Sequence, residues 1–235
     1  MKTAILIPAW NEAATIARVV REVAAFGTPL VVDDGSSDDT GQLARAAGAI
    51  VVRHARNTGY DGALQSGFVE ADRRGMEAVV TFDADGQHTA ETLGRVVQLL
   101  EGEGRDLVLG LRAEPARFAE RLFSLYTRWR FGIGDILCGL KGYRMTLFKR
   151  HGRFDGTRSI GTELALFALR SNASYAVVQV PIRPRESGKT RFGSVIRGNA
   201  RILRAMLLAV VADFRGRFTA PDSAHPAHGS GEKVR

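Results

Sequence analysis

Cysteine is almost missing from this chain. Cys138 is the single one in 235 residues, so no internal disulfide can form and a small secreted scaffold stapled by disulfides is excluded. A reducing cytoplasm is the expected setting. Long apolar runs are missing too. The longest strongly apolar stretch, 205–212, falls well short of the roughly 20 residues a membrane-spanning helix needs. The N-terminal run 4–7 stops at Pro8, which is too short for the core of a signal peptide. Neither a bilayer span nor a secretion signal is therefore expected. There is no internal repeat and no recognisable nucleic-acid module or stacking-aromatic pattern, so nucleic acid is not an expected partner despite the basic charge.

What is present is ordinary globular material, 45% hydrophobic and 25% charged, enough to bury a large core. The net charge of +8 is unevenly placed. Residues 1–104 carry 9 Lys and Arg against 15 Asp and Glu, and residues 105–235 carry 24 against 10. A basic half of this size attracts phosphates, whether of nucleic acid, an anionic membrane or a phosphorylated substrate. Charge alone does not choose among them.

Apolar runs at 4–8, 30–33, 50–54, 78–82 and 106–111 read as strands, separated by helical stretches at 13–26, 39–47, 61–74 and 89–101. Strand and helix in strict alternation predict an α/β fold with a mostly parallel central sheet flanked by helices. Ligands of such sheets bind beyond the carboxyl ends of the strands. The second half is less regular: a helix over 117–131, a turn-rich segment through 144, a helix over 161–171, a strand over 175–182, a basic loop over 183–193 and a helix over 194–214 are expected. The implied organisation is a catalytic domain over 1–193, a basic amphipathic helix over 194–218 and a disordered tail over 219–235.

The polar residues gather at the predicted strand ends. Asp83-Ala84-Asp85-Gly86-Gln87 follows the fourth strand. In an extended chain Asp83 and Asp85 point to the same side. Hard carboxylate oxygens there, followed by the Gln87 amide, suit Mg²⁺ or Mn²⁺. Asp33-Asp34-Gly35-Ser36 closes the second strand, where a carboxylate can accept hydrogen bonds from a nucleobase or ribose and Gly35 lets backbone come close to a ligand. Pro8-Ala9-Trp10-Asn11-Glu12 closes the first. Taken singly, each is equally a solvated turn or a helix cap.

The three together, in this order, resemble glycosyltransferase family 2. That resemblance implies a GT-A fold, a nucleotide-sugar held by Pro8, Trp10, Glu12, Asp33, Asp34 and Asp83, and a divalent metal, Mg²⁺ or Mn²⁺, on Asp83, Asp85 and Gln87. Trp10 stands where Tyr is usual and keeps the aromatic surface. Asn57-x-Gly59-x-x-Gly62-Ala63 matches a further family segment. Gly110-Leu111-Arg112, Asp135-x-x-Cys138-Gly139-x-Lys141, Glu163, and Arg185-x-x-Gly188-Lys189-Thr190-Arg191 are similar to the polyprenyl-phosphate branch of the family. The implied reaction transfers a hexose, with inversion, from a donor of the UDP-glucose or GDP-mannose type to a polyprenyl phosphate at the cytoplasmic face of a membrane. Asp85, Arg112, Lys141 and Arg185 are the implied catalytic residues. Arg112, Lys141, Arg185, Lys189 and Arg191 supply cations for donor and acceptor phosphates, Arg as a fork and Lys as a compact charge. Lys141 replaces an Arg usual among mannose-transferring members, and Thr162 stands where an Asp is often found.

Two expectations compete: a non-enzymatic basic nucleic-acid-binding protein, motivated by the charge alone, and a family 2 enzyme acting on a sugar hydroxyl. The latter would need a carboxylate base, with Glu163 and Asp135 as candidates. Finally, at 100° per residue Arg197, Arg201, Arg204 and Arg215 share one face of the last helix, opposite Ile202, Leu203, Met206, Leu207 and Val210. Arg117, Arg121 and Arg128 similarly oppose Phe118, Leu122, Leu125 and Trp129. A basic amphipathic helix can lie in an anionic interface, and core packing explains such apolar stripes as well.

Overall fold

The first strand, β1 (Thr3–Ala9), is buried along its whole length, as an apolar run must be when both faces of a sheet are covered. Its side chains alternate between two cores. Ala4 and Leu6 join Leu30, Val32 and Val79 on one face, while Ile5, Ile7 and Ala9 join Val31, Ala78 and Val80 on the other. The computed structural model describes residues 1–84, 88–113, 117–181 and 195–219, without the side chains of 195–197 and 215–219.

The chain continues through α1 (Ile16–Val23), β2 (Thr28–Asp33), α2 (Thr40–Ala46), β3 (Ile50–Arg53), α3 (Tyr60–Arg73), β4 (Ala78–Thr81), α4 (Ala90–Glu101) and β5 (Leu107–Arg112). Then come α5 (Phe118–Phe131), β6 (Lys141–Arg144), α6 (Met145–His151), α7 (Glu163–Arg170), β7 (Tyr175–Val180) and α8 (Val195–Thr219). Seven strands form one sheet in the order β3-β2-β1-β4-β6-β5-β7. All neighbours are parallel except β6, which runs antiparallel to both β4 and β5. The six parallel strands therefore end on one edge, and β6 begins there, with Lys141 paired to Thr81 on one side and Leu109 on the other.

The expected alternation in the first half is present, with boundaries moved by one to three residues. α1 starts at Ile16 because 12–15 form a turn whose Glu12 carbonyl accepts the N–H groups of Thr15 and Ile16, at 3.1 and 2.9 Å. Two elements were not expected. β6 reads Lys-Gly-Tyr-Arg, without apolar alternation, and lies in what looked like a turn-rich segment. α6 follows it directly.

Ile202, Ala205 and Ala209 form the buried face of α8, while Leu203, Leu207, Val211 and Phe214 are exposed. On α5 the buried residues are Ala119, Glu120, Phe123, Ser124 and Thr127; Phe118, Leu125 and Trp129 stand in solvent. Part of each predicted stripe therefore faces outward, because small residues let the helices sit close to their neighbours. Asp213 holds α8 in place, accepting from Tyr126 Oη at 2.6 Å, Arg130 Nε at 3.0 Å and Arg170 Nε at 2.5 Å. No helix among the described residues is long and apolar enough to cross a membrane.

Candidate active site

The turns after β1 and β2 are laced to each other. Asn11 adopts a left-handed conformation, φ 54°. Its N–H donates to Ser36 Oγ (2.9 Å) and its Oδ1 accepts from the Ser37 N–H (2.9 Å). The Glu12 N–H donates to Thr40 Oγ1 at 2.8 Å, and the Glu12 carboxylate accepts from Thr15 Oγ1 at 3.0 Å. Trp10 projects between these anchored neighbours, 41% exposed. An aromatic face held out by a fixed turn is what stacking on a flat ring requires.

Asp33 and Asp34 are both buried, with different work. Asp33 Oδ1 accepts from the Ser36 N–H at 3.0 Å, and its Oδ2 lies 3.5 Å from Arg53 Nε with no hydrogen bond among the described residues. Asp34 grips the Asn57–Gly59 segment. Its Oδ1 accepts from the N–H and hydroxyl of Thr58, both at 2.8 Å, and its Oδ2 from the Gly59 N–H at 2.8 Å. His54 adds Nδ1 at 2.7 Å from Asp34 Oδ1 and reaches Ser66 Oγ with Nε2 at 2.9 Å. Gly35, φ 72°, has the backbone of Arg56 where a side chain would begin, so here the glycine admits the chain's own loop. His54 and Thr58 were not legible as site residues, because their partner Asp34 lies 20 and 24 positions away, and Ser66 joins only through His54.

After β4, Asp83 is partly exposed and has His88 Nε2 at 3.1 Å from Oδ2. A Cβ at position 139 would collide with this carboxylate, so the glycine of Cys-Gly-x-Lys makes room for Asp83. Thr81 fixes that approach by donating to the Gly139 carbonyl (2.6 Å) and accepting from the Lys141 N–H (3.1 Å). Asp83 thus offers a hard oxygen donor at the sheet edge, of the kind that Mg²⁺ or Mn²⁺ takes, and among the described residues no group of three ligands stands around it. Asp85 and Gln87 lie outside the described residues, as do Arg185, Lys189 and Arg191.

Arg112 ends β5. Its Nε and Nη2 donate to the two oxygens of Asp135 at 2.7 and 3.0 Å, and Glu120 lies 3.2 Å from Nη2. Burial opposes its charge, but Asp135 and Glu120 more than offset that, and the guanidinium stays protonated. Lys141 is only 4% exposed, and its Nζ donates to the Gly161 carbonyl at 3.1 Å. Burial lowers its pKa, against the opposing pull of Cys138, Asp135 and Asp83. The Cys138 thiol is pushed up to about 11, first by burial and then by Asp135, so it is no nucleophile at neutral pH. Beside Arg112 opens a cleft of about 890 Å³ lined by Arg112, Arg121, Leu125, Arg128 and Gln179 among others.

The carboxylates considered as bases are committed elsewhere. Asp135 holds Arg112. Glu163 is resisted by burial, yet hydrogen bonds from Arg153, the Gly156 N–H, His151 and Thr157 bring its pKa down to about 2. Asp61, at the start of α3, was not singled out from the sequence. Burial first and Asp155 second raise its pKa to about 6, and its Oδ1 has no hydrogen-bond partner among the described residues.

Pro8, Trp10, Glu12, Asp33, Asp34, Asp83, Arg112 and Lys141 therefore come from five strands and their following turns and meet along one edge of the sheet. Comparison with known proteins gives the family. Residues 4–157 match the family described as Glycosyl transferase family 2. An uncharacterized protein of Methanocaldococcus jannaschii is 33% identical over 144 residues, 60% of this chain and 59% of that protein, so the chain spans less than two thirds of that relative. The polyprenol monophosphomannose synthase of Mycolicibacterium smegmatis is 30% identical over 223 residues, 83% of each chain. Other distant homologues are named as transferring mannose, N-acetylglucosamine or a modified arabinose to lipid phosphates. Among solved structures, glucosyl-3-phosphoglycerate synthase from Mycobacterium tuberculosis, in complex with Mn²⁺, UDP and phosphoglyceric acid, superimposes with a TM-score of 0.68 at 21% identity, covering 94% of this chain and 80% of that one. That likeness shows the GT-A-like fold. With the family match spanning well over half of its length, the chain is a member of glycosyltransferase family 2.

Proposed function

We propose that this enzyme moves a hexose, with inversion and with a divalent metal, from a nucleotide-sugar to a polyprenyl phosphate at the cytoplasmic face of a membrane. One observation carries the choice of acceptor: the cleft beside Arg112 is lined by Arg121 and Arg128 on a helix, α5, whose outer side presents Phe118, Leu125 and Trp129 to solvent. A phosphate on an apolar chain needs cations and an apolar track side by side. A soluble sugar needs neither.

The donor side is formed by the turns after β1, β2 and β4. Trp10 offers its face to the donor, and Glu12 and Asp33 offer acceptors for ribose or base. Asp34 acts through the 57–59 segment that it anchors. Asp83, with Asp85 and Gln87, would hold Mg²⁺ or Mn²⁺, which supplies charge neutralisation at the departing diphosphate. Arg112, Lys141, Arg185, Lys189 and Arg191 bring cations to the two phosphate groups. Arg112 arrives already oriented by Asp135 and Glu120, so its ordering precedes the reaction.

An acceptor phosphate is an anion and needs no base to deprotonate it. Orientation and charge stabilisation are then the main demands on the protein. The commitment of Asp135 and Glu163 to ion pairs supports this reading over a hydroxyl acceptor. The test incubates the protein with Mn²⁺, a panel of labelled nucleotide-sugars and a short polyprenyl phosphate, then extracts with organic solvent. Label in the organic phase is expected. Label transferred only to soluble sugar acceptors would replace the lipid reading with the hydroxyl one.

A further inference from the structure

Seven of the twelve large apolar side chains exposed among the described residues belong to two helices, α5 and α8. On α5 they are Phe118, Leu125 and Trp129, and on α8 Leu203, Leu207, Val211 and Phe214. Both sets follow the spacing of a helical stripe, and Trp129 and Phe118 are 74% and 68% exposed. The helices are locked together through Asp213, which Tyr126 and Arg130 of α5 both reach. Large exposed apolar side chains concentrated on paired helices mark an interaction surface.

Charge identifies the partner. The only acidic residues on these two helices are Glu120 and Asp213, and each is tied into the fold: Glu120 to Arg112 at 3.2 Å, Asp213 to Arg130 and Arg170. Exposed around the apolar stripes are Arg121, Arg128, Arg201 and Arg204. A surface with apolar ridges, an exposed Trp and, among the described residues of the two helices, exposed charges of positive sign matches an anionic lipid surface, where Trp settles at the headgroup level and each basic residue adds attraction. A second copy of this chain would set arginines against arginines.

We infer that the paired outer faces of α5 and α8 form the surface by which the protein lies on an anionic bilayer, through Trp129, Leu125, Leu203, Leu207 and Phe214, with Arg201 and Arg204 on headgroups. The inference deepens the lipid-acceptor reading and rests on it. α5 serves both, since Arg121, Leu125 and Arg128 also line the cleft. A lipid phosphate could pass from the bilayer into the cleft without crossing water.

The experiment floats the full chain with vesicles free of polyprenyl phosphate, made of phosphatidylcholine alone or with one third phosphatidylglycerol, and in parallel measures transfer to a short polyprenyl phosphate in detergent. The wild type should float with the anionic vesicles and little with the neutral ones, and added salt should weaken binding. Leu207→Glu with Phe214→Glu should lower partitioning about tenfold or more, as expected when apolar anchors become charges, while transfer in detergent stays unchanged. Leu207→Ser with Phe214→Ser, a milder pair, covers the case in which the acidic pair fails to fold. Arg204→Gln should give a smaller, salt-sensitive loss. Wild-type partitioning in the serine pair overturns the inference, and so does a concentration-dependent dimer that the pair abolishes while vesicle binding persists. A wild type that transfers sugar to the lipid but never floats sinks this surface and spares the acceptor assignment; one that floats but modifies only soluble sugars does the reverse.

Discussion

The two sides of the site are built in opposite ways. On the proposed donor side, the carboxylates of Asp33, Asp34 and Asp38 are spent on backbone N–H groups and hydroxyls of neighbouring turns, so charge fixes the shape of the loops. On the proposed acceptor side, carboxylates are spent on a cation: Asp135 and Glu120 orient Arg112, and the neighbouring Arg121 and Arg128 look into an open cleft. A rigid, acidic rim suits one defined nucleotide with a metal. A basic cleft next to exposed apolar side chains suits an anion whose tail stays outside. The same ionic chemistry thus serves shape in one region and recognition in the other.

The contrast can be broken or sharpened by substitution, starting with the largest effect. Asp85→Asn should reduce single-turnover transfer by about two to three orders of magnitude, roughly 3 to 4 kcal/mol, because an amide contributes less charge to the ion. Near wild-type rates in that variant, or in EDTA, would remove the metal from the donor side. Next comes Asp34→Ala, which leaves the buried donors of Thr58 and Gly59 without their acceptor. Lost hydrogen bonds to a buried charged group cost about 3 kcal/mol in sum, and urea melts should show it together with weaker donor binding by calorimetry. Unchanged donor binding at reduced stability would make Asp34 purely architectural.

Asp61 provides a pH test. Its pKa is raised from 3.8 to about 6 in the folded protein, so the folded state binds the extra proton and the carboxylate destabilises it increasingly as pH rises from about 4 to 6. Asp61→Asn should therefore stabilise the protein above pH 6 by up to about 3 kcal/mol, and the gain should vanish below pH 4. A constant effect across that range in thermal melts would show that burial, and not ionisation, sets its contribution. The smallest effect belongs to the cleft: Arg121→Gln should lower kcat/KM for the polyprenyl phosphate about tenfold, roughly 1.4 kcal/mol, with donor affinity unchanged. An equal loss in donor affinity would merge the two sides of the site into one.

The sequence made the first half legible because each buried strand is an uninterrupted apolar run and each helix has its own period. β6 escaped because Lys-Gly-Tyr-Arg holds its place by pairing with strands on both sides and carries only one large apolar residue. The acidic turns were visible as polar residues at strand ends. What Asp34 or Arg112 touches was not, since Thr58 and Asp135 lie 24 and 23 positions away. The helix stripes left core and interface open for another reason. Periodicity does not tell which apolar residues turn inward, and in α8 Ile202 is buried with Ala205 and Ala209 while Leu207 stays outside.

The antiparallel insertion of β6 bears on how the protein acquires its shape. Thr81 pairs with Lys141, and Leu109 pairs with the same residue from the other side, so β4 and β5 are joined in the sheet only through a segment that follows both of them in the chain and lies between them. Contacts so distant along the chain form slowly. A nascent chain stopped before position 141 can assemble the β1–β4 turns, but the gap that separates them from β5 stays open. The two sides of the proposed site therefore become neighbours in one late closure. Pulsed hydrogen exchange during refolding should show the amides of 79, 81 and 108, on the sides of β4 and β5 that face β6, gaining protection in the same kinetic phase, after those of β1 and β2.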